Sequence, residues 1–346
     1  MATDRPTTGD SPAMETAAPR GGRVGSIVRG GAIQRLLAFA ALILIIVFFT
    51  LASPNFLTFA NVTGILIATS VVGVLALGQT FVIITGGIDL SVGTVMTLSA
   101  VMTGVVITNM GLPLPVGVVA GIVTGGLMGL LNGILIARFR LPPFIATLGT
   151  LNIARGLALV VSGLAPIYFT NTPDFNGGVM GSLLGSVVPG LTIPNIVLVM
   201  FGAALIAAFI LGRTILGRYT YALGSNEEAA RLSGVNTAAW KASVYTLCGA
   251  FAGLGGVLIA ARVNSAQPSL GFGYELDAIS AVVIGGTSLS GGEGSILGTI
   301  IGAFIITTLT NGLRILSVPQ EWQTVVTGVV VILAVYLDIV RRRREV

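Results

Sequence analysis

The run Val62–Ile84, VTGILIATSVVGVLALGQTFVII, passes without a charged side chain and leads into TGGIDLSVG at 85–93. It exceeds the about 20 apolar residues that a helix needs to cross a bilayer. A second apolar run, 92–110, follows the break at once. Two long apolar runs joined by a short glycine-rich turn read as a hairpin of membrane helices. Working outward, the same pattern recurs at 33–51, 114–137, 143–161, 194–212, 242–261, 275–288, 296–312 and 322–340. The run 275–288 is too short to cross unaided and reads as a broken or re-entrant element.

Composition agrees with that reading. Of 346 residues only 9% are charged, against about 25% in a soluble domain. Hydrophobic residues make up 54%, glycine contributes 48, and the mean hydropathy is +0.97. So little charge cannot cover a soluble surface, and so much apolar matter does not stay unfolded. The expected class is all-α: a polytopic helical membrane protein of about ten transmembrane segments, some broken or re-entrant.

Charge placement orients the chain. With the N-terminus inside, the inner segments hold Arg5, Arg20, Arg23, Arg29, Arg35, Arg138, Arg140, Arg213, Arg218, Arg231, Lys241 and Arg341 to Arg344, most of the 18 basic residues. Arg262 and Arg314 fall at outer ends, and Arg155 within a span. The bias follows the positive-inside rule and puts both termini in the cytoplasm. The expected organisation is a polar, disordered cytoplasmic tail over 1–32, a transmembrane domain over 33–340 with its longest inner loop at 213–241, and a basic tail over 341–346. The tail does not read as a signal peptide, since its first apolar run starts near Ile33 and no small-residue cleavage site follows it.

Chemistry is narrowed by absences. There is no histidine and a single cysteine, Cys248. His-based acid–base work, an intrachain disulfide and a Cys/His metal cluster are therefore excluded, and no cofactor, metal or catalytic residue is expected. Glu275 and Asp277 are paired acidic residues at the start of an apolar element, where the helix dipole favours them. Leu289-Ser290-Gly291-Gly292-Glu293 mimics a motif of ATP-binding cassettes. An ATPase also needs a phosphate loop with Gly-Lys-Ser/Thr, and the one lysine, Lys241, lies between Trp240 and Ala242.

Gly121, Gly125, Gly129 and Gly133 share one helical face, as do Gly249 with Gly253 and Gly298 with Gly302. In lipid, helices associate through close backbone approach, so these faces read as packing seams. GGIDLSVG at 86–93 returns as GGTSLSGG at 285–292, a short internal repeat placed inside both times. Duplicated halves with interrupted apolar segments are common in transporters.

Within the inner loop, Ser225, Asn226, Glu227 and Glu228 form S-x-x-E, a capping box that predicts a helix starting at Ser225. Ala229, Ala230, Arg231 and Leu232 follow, and Gly234 supplies a left-handed stop. Gly224 opens the segment. A helix this short is marginal in water and needs a surface to lie on, either its own membrane domain or a partner.

Here the sequence resembles a known family. GRYTYALGSNEEAARLSGVN at 217–236 looks like the cytoplasmic coupling segment of ribose-type sugar ABC transporter permeases. SAQPSLGFGYELDAISAVVIGGTSLSGGEGSILGTIIGA at 265–303, TGGIDLSVG at 85–93 and FIATLGTLNIARGL at 144–157 are similar to further motifs of that family. The likeness runs in order from about residue 36 to residue 340, apart from part of 162–193. It implies a bacterial inner-membrane importer subunit that works as a homodimer. A cytoplasmic ATP-binding cassette pair would drive it and a periplasmic sugar-binding protein would supply it. Ribose is the favoured sugar, with xylose, arabinose and galactose-type substrates behind it. The coupling residues it implies are Gly224 to Leu232 with Gly234.

Polar residues at membrane depth are the candidates for a translocation pathway. They are Gln79, Asp89, Ser91, Asn132, Asn152, Arg155, Thr287, Ser288 and Asn311. Amides and hydroxyls suit a sugar, which needs weak and replaceable hydrogen bonds; the same groups also serve as links between helices. Asp89 reads as a cap on the third span or as a charge fixing a helix break, and Arg155 as a side chain snorkelling to the outer interface or as a substrate contact. The competing class is a self-contained secondary transporter or channel. It would need an ion-coupling residue at midplane, and Asp89 and Arg155 both lie nearer an interface.

Overall fold

Apolar runs bounded by proline, glycine and short polar breaks become eleven α-helices in the computed structural model, which describes residues 22–169 and 193–343. They are α1 (Gly22–Ala52), α2 (Phe59–Ile84), α3 (Val92–Gly104), α4 (Leu114–Ala137), α5 (Pro143–Val161), α6 (Asn195–Arg213), α7 (Ile215–Leu232), α8 (Thr237–Val263), α9 (Tyr274–Ile284), α10 (Ile296–Ile315) and α11 (Gln320–Arg343). A π-helical segment, Val105–Asn109, prolongs α3. Proline sits in the first turn of α4 and α5, where its missing N–H costs nothing.

Each of the ten expected segments falls on a helix. Seven helices (α2, α3 with its π extension, α4, α5, α6, α8 and α10) are long and apolar enough to cross a membrane. With 11 residues, α9 rises only about 16 Å and cannot span a hydrocarbon core of about 30 Å, in line with the short eighth run. α1 already starts at Gly22, inside the stretch 1–32 read as a tail. The remainder of that tail, most of the 162–193 loop and the last residues of the basic tail lie outside the described residues.

The centre of the bundle is α2. Every residue from Thr69 to Ile84 is buried, so its apolar character on all sides reflects a helix surrounded by others. It packs against α8, α10 and α9, and two hydroxyl pairs cross to α10: Thr69 with Thr307 at 2.6 Å and Thr80 with Thr299 at 2.7 Å. Large apolar side chains of α1, α4, α5 and α6, such as Leu44, Val123, Ile153 and Leu205, point outward as a lipid-facing surface requires.

The glycine faces are packing seams, as expected. α4 crosses α8 so closely that a Cβ on Gly125 would overlap the Gly249 carbonyl, and one on Gly129 the Tyr245 carbonyl. Gly298 and Gly302 of α10 meet Gly285, just past the end of α9, and Ala281 of α9 in the same way. At one end of the bundle, strand β1 (Ile167–Tyr168) pairs antiparallel with β2 (Ser265–Ala266). At the other end lie the two repeat loops and α7, joined by the contacts described below.

Candidate functional site

The end of the bundle that carries α7 is built on the two copies of the internal repeat. α2 stops when Gly86 takes a left-handed φ of 77° and Gly87 donates back to the Val82 carbonyl. α9 stops in the same manner, with Gly286 at φ 94° and Thr287 donating to Val282. A β-carbon resists that region, so glycine is required at both stops. Beyond each stop the chain makes one further tight turn. The Ser91 amide donates to Asp89 Oδ1 at 2.8 Å, and the Ser290 amide donates to Ser288 Oγ at 3.1 Å. The repeat is therefore structural as well as textual.

Asp89 is not a first-turn helix cap. α3 begins at Val92, and the capping position is Ser91, whose own side chain makes no capping bond. Asp89 instead fixes the break between α2 and α3. Its Oδ1 also accepts the Ser91 hydroxyl at 2.6 Å. The Asn132 amide of α4 donates to Asp89 at 3.3 and 3.4 Å and to Ser91 Oγ at 2.9 Å. The Asn132 carbonyl accepts from Thr150 of α5 at 2.6 Å. All four residues are buried. Three of the expected pathway residues thus form one closed cluster with Thr150, which composition alone did not single out. A signal existed: Thr147 and Thr150 stand three apart in FIATLGTL, on one helical face, and Thr147 reaches the Ile88 carbonyl at 3.3 Å.

The other pathway candidates are scattered. Gln79 is fully buried, where Cys248 Sγ lies 3.8 Å from its carbonyl oxygen and its amide nitrogen makes no hydrogen bond. Thr287 and Ser288 are buried in the second loop. Asn311, on α10, is half-buried. Asn152 and Arg155 lie on the uncovered face of α5, with the Asn152 amide bonded only to its own helix at Leu148 and the Arg155 guanidinium 5.9 Å from the centre of the Phe272 ring. Glu275 is a helix-start residue as expected, its carboxylate accepting the Gly273 amide at 3.1 Å.

α7 lies across both repeat loops. Thr214 caps it by accepting from the Gly217 amide. Gly224 is wedged against the Ile84 carbonyl and the Gly292 amide, which bond each other at 2.8 Å, and Tyr221 Oη donates to the Gly294 carbonyl at 2.8 Å. No side chain larger than hydrogen fits at Gly224. The helix is then interrupted: Asn226 takes φ −165° and ψ 99°. Its Oδ1 accepts the Ala229 amide at 2.9 Å, so Asn226 starts the second short helix. The capping box read at Ser225 is corrected here. Asn226 holds the capping position in place of Ser225, and the Glu228 carboxylate bonds Arg231 at 2.6 and 3.1 Å, an ion pair that holds the Glu228 carboxyl below the usual range.

The stop at Gly234 is as expected, with φ 84° and the Val235 amide donating to Ala230. Glu227 pairs with Lys241 at 2.6 Å and Tyr219 packs on Trp240 at 4.8 Å, which ties the segment to the first turns of α8. Ser225 to Ala229, Arg231 and Leu232 are exposed, and Leu232 is 77% exposed. Ala230 faces inward and is buried. The two alanines therefore do not share the outward face.

Comparison with known proteins follows the same lines. Residues 61–335 match the family model described as branched-chain amino acid transport system / permease component. The ribose import permease protein RbsC of Bacillus subtilis is 42% identical over 309 residues, covering 89% of this chain and 94% of that protein. Its Escherichia coli K12 namesake is 43% identical over 301 residues, covering 86% and 91%. The D-allose transport system permease protein AlsC of the same strain is 39% identical over 300 residues, covering 87% and 90%. No solved structure matches.

Proposed function

Since the chain belongs to the family of branched-chain amino acid transport system permease components, we propose that it is the membrane-spanning subunit of an ATP-driven, binding-protein-dependent importer of a monosaccharide, ribose first. Such subunits transport and do not catalyse; the ATP is hydrolysed by a partner. The chain is a multi-pass protein of the bacterial inner membrane, with 33–340 as its permease domain and both termini cytoplasmic. The sugar follows from the relatives: those at 42% and 43% identity are ribose permeases, the D-allose permease stands at 39%, and the xylose permease XylH at 33%.

The observation that carries the reading is the seat of α7. An exposed, charge-rimmed short helix rests through Gly224 and Tyr221 on the two loops that end α2 and α9. A load applied at Ser225–Leu232 therefore reaches the membrane helices directly, which is what a docking partner that opens and closes with ATP requires. A self-contained carrier has no use for such a projection.

Two copies side by side complete the subunit. α5 presents Asn152, at its middle, and Arg155 on a face that is exposed among the described residues, with the Phe272 ring beside Arg155. An amide and a guanidinium facing hydrocarbon are costly, whereas a second copy closing over α5 would turn that face into a wetted path. Asn152 and Arg155 are then its lining, while Asp89, Ser91 and Asn132 support it from behind.

The test is energetic. In proteoliposomes holding the chain with its ATP-binding subunit, ATP and a ribose-loaded binding protein should drive ribose inward. Uptake driven by an ion gradient without ATP would overturn the reading in favour of a secondary transporter.

A further inference from the structure

We propose that Thr150 and Asn132 are positioning residues that couple the docked helix α7 to α5, the helix whose opposite face carries Asn152 and Arg155; the inference rests on the importer reading above. The connection is continuous on one side of the molecule. α7 presses through Gly224 on Ile84, the last residue of α2. Loop 85–91 follows, closed on itself by Asp89 and Ser91. Asn132 ties that loop to α4, and Thr150 and Thr147 tie it to α5 at 2.6 Å on Asn132 and 3.3 Å on Ile88.

The direction of each bond makes the tie specific. Asp89 is acceptor throughout: the Ser91 amide, the Ser91 hydroxyl and the Asn132 amide all donate to it. Asn132 can donate only if its carbonyl points the other way, and there the Thr150 hydroxyl holds it. Removing that hydroxyl leaves a buried carbonyl unpartnered and frees the amide to turn, so Thr150 acts on the loop through Asn132. On a helix turning about 100° per residue, Thr147 and Thr150 lie on the opposite side from Asn152 and Arg155. Displacing the loop therefore moves the uncovered face.

The second loop is tied differently, to the end of α2 by the Gly292 amide on Ile84 and to α7 by Tyr221 on Gly294. Ser288 stands where the first copy has Asp89, and its bonds run within its own loop, to Ser290 and to the Glu293 carbonyl. Thr287 Oγ1 is buried without a hydrogen-bond partner. Of the two loops beneath α7, the GGIDLSVG copy carries the load to α4 and α5.

A cysteine placed at Gly149, on the exposed face of α5 where, among the described residues, a β-carbon would meet nothing outside its own helix within 4 Å, reports the movement without needing the sugar. Cys248 is buried and does not compete. In the complete complex, ATP should change the reactivity of Gly149→Cys toward a water-soluble thiol reagent by about tenfold. Thr150→Val, which keeps shape and removes the hydroxyl, should abolish that change while ATP hydrolysis and the yield of complex persist, and Thr150→Ser should restore it. The exchange Asp89→Asn with Asn132→Asp, which keeps one carboxylate and one amide in contact, should recover what Asp89→Asn alone loses. An ATP-dependent change in Thr150→Val equal to that of the parent, or a loss of complex yield in step with the loss of signal, would overturn the proposal. Ribose uptake is read on the same vesicles: its absence beside an intact ATP-driven change in reactivity sinks the ribose reading and leaves the coupling standing.

Discussion

The amide of Gly292 donates to the carbonyl of Ile84 at 2.8 Å, and this backbone bond joins the second copy of the duplicated loop to the end of α2, where the first copy begins. Gly224 lies against both of its atoms. Three segments far apart in sequence thus meet at one point, and the absence of a side chain at Gly224 is what permits it. Gly224→Ala should separate them. Uptake should fall steeply while ATP hydrolysis by the partner continues, since the docking face at Ser225–Leu232 is untouched. Equal retention of uptake and hydrolysis would show that α7 need not touch the loops.

The α4–α8 seam gives a paired test. A Cβ at Gly125 would overlap backbone atoms of Gly249 and Gly253, whereas the next residue, Gly126, has nothing within 4 Å. Gly125→Leu should destabilise the detergent-solubilised protein by about 3 kcal/mol or more, since forcing bulk into a packed seam shifts backbone. Gly126→Leu should leave the thermal midpoint unchanged. Equal effects of the two would mean that the helices are not packed on this face.

Docking should depend on the outward residues of α7. Ala229 and Leu232 are exposed, so Ala229→Trp or Leu232→Asp should weaken co-purification of the ATP-binding subunit without lowering the thermal midpoint. Ala230 is buried, so Ala230→Trp should lower both, by about 1–3 kcal/mol in stability. Loss of binding in all three with no change in stability would place Ala230 on the docking face.

The start and stop of the short helix should be separable. Asn226→Ala removes the acceptor for the Ala229 amide and should cost about 1 kcal/mol, with Asn226→Asp retaining most of it. Gly234→Val forces a β-branched residue to φ 84° and should cost more. Amide hydrogen exchange over 227–235 reads both. Undiminished protection in Gly234→Val would show that the stop relaxes freely.

Orientation is checked by labelling. Leu164 lies beside the β1–β2 end and is 77% exposed. A cysteine there should react with an impermeant thiol reagent in intact cells, and one at Ser225 should react only after lysis. The reverse pattern sinks the cytoplasmic placement of both termini.

Sequence alone settled a good deal here. Apolar run length placed all ten helical segments, including the short α9, because a helix that must satisfy every backbone group in lipid leaves a mark that needs no tertiary information. Glycine spacing located the seams, and Gly234 located a helix stop, because backbone overlap and positive φ are local demands. Tertiary structure decided the rest. Ser225 and Asn226 are both good capping residues, and the seating of Gly224 against Ile84 and Gly292 selects Asn226 by breaking the helix just beyond that contact. Ala229 and Ala230 look alike in the chain, but only one faces the bundle. Asp89, Ser91, Asn132 and Thr150 stand in three separate segments, and each alone reads as a cap, a packing link or a pathway residue. Their common function depends on which donor meets which acceptor, and a pairing between distant segments is fixed only when the helices that carry them pack.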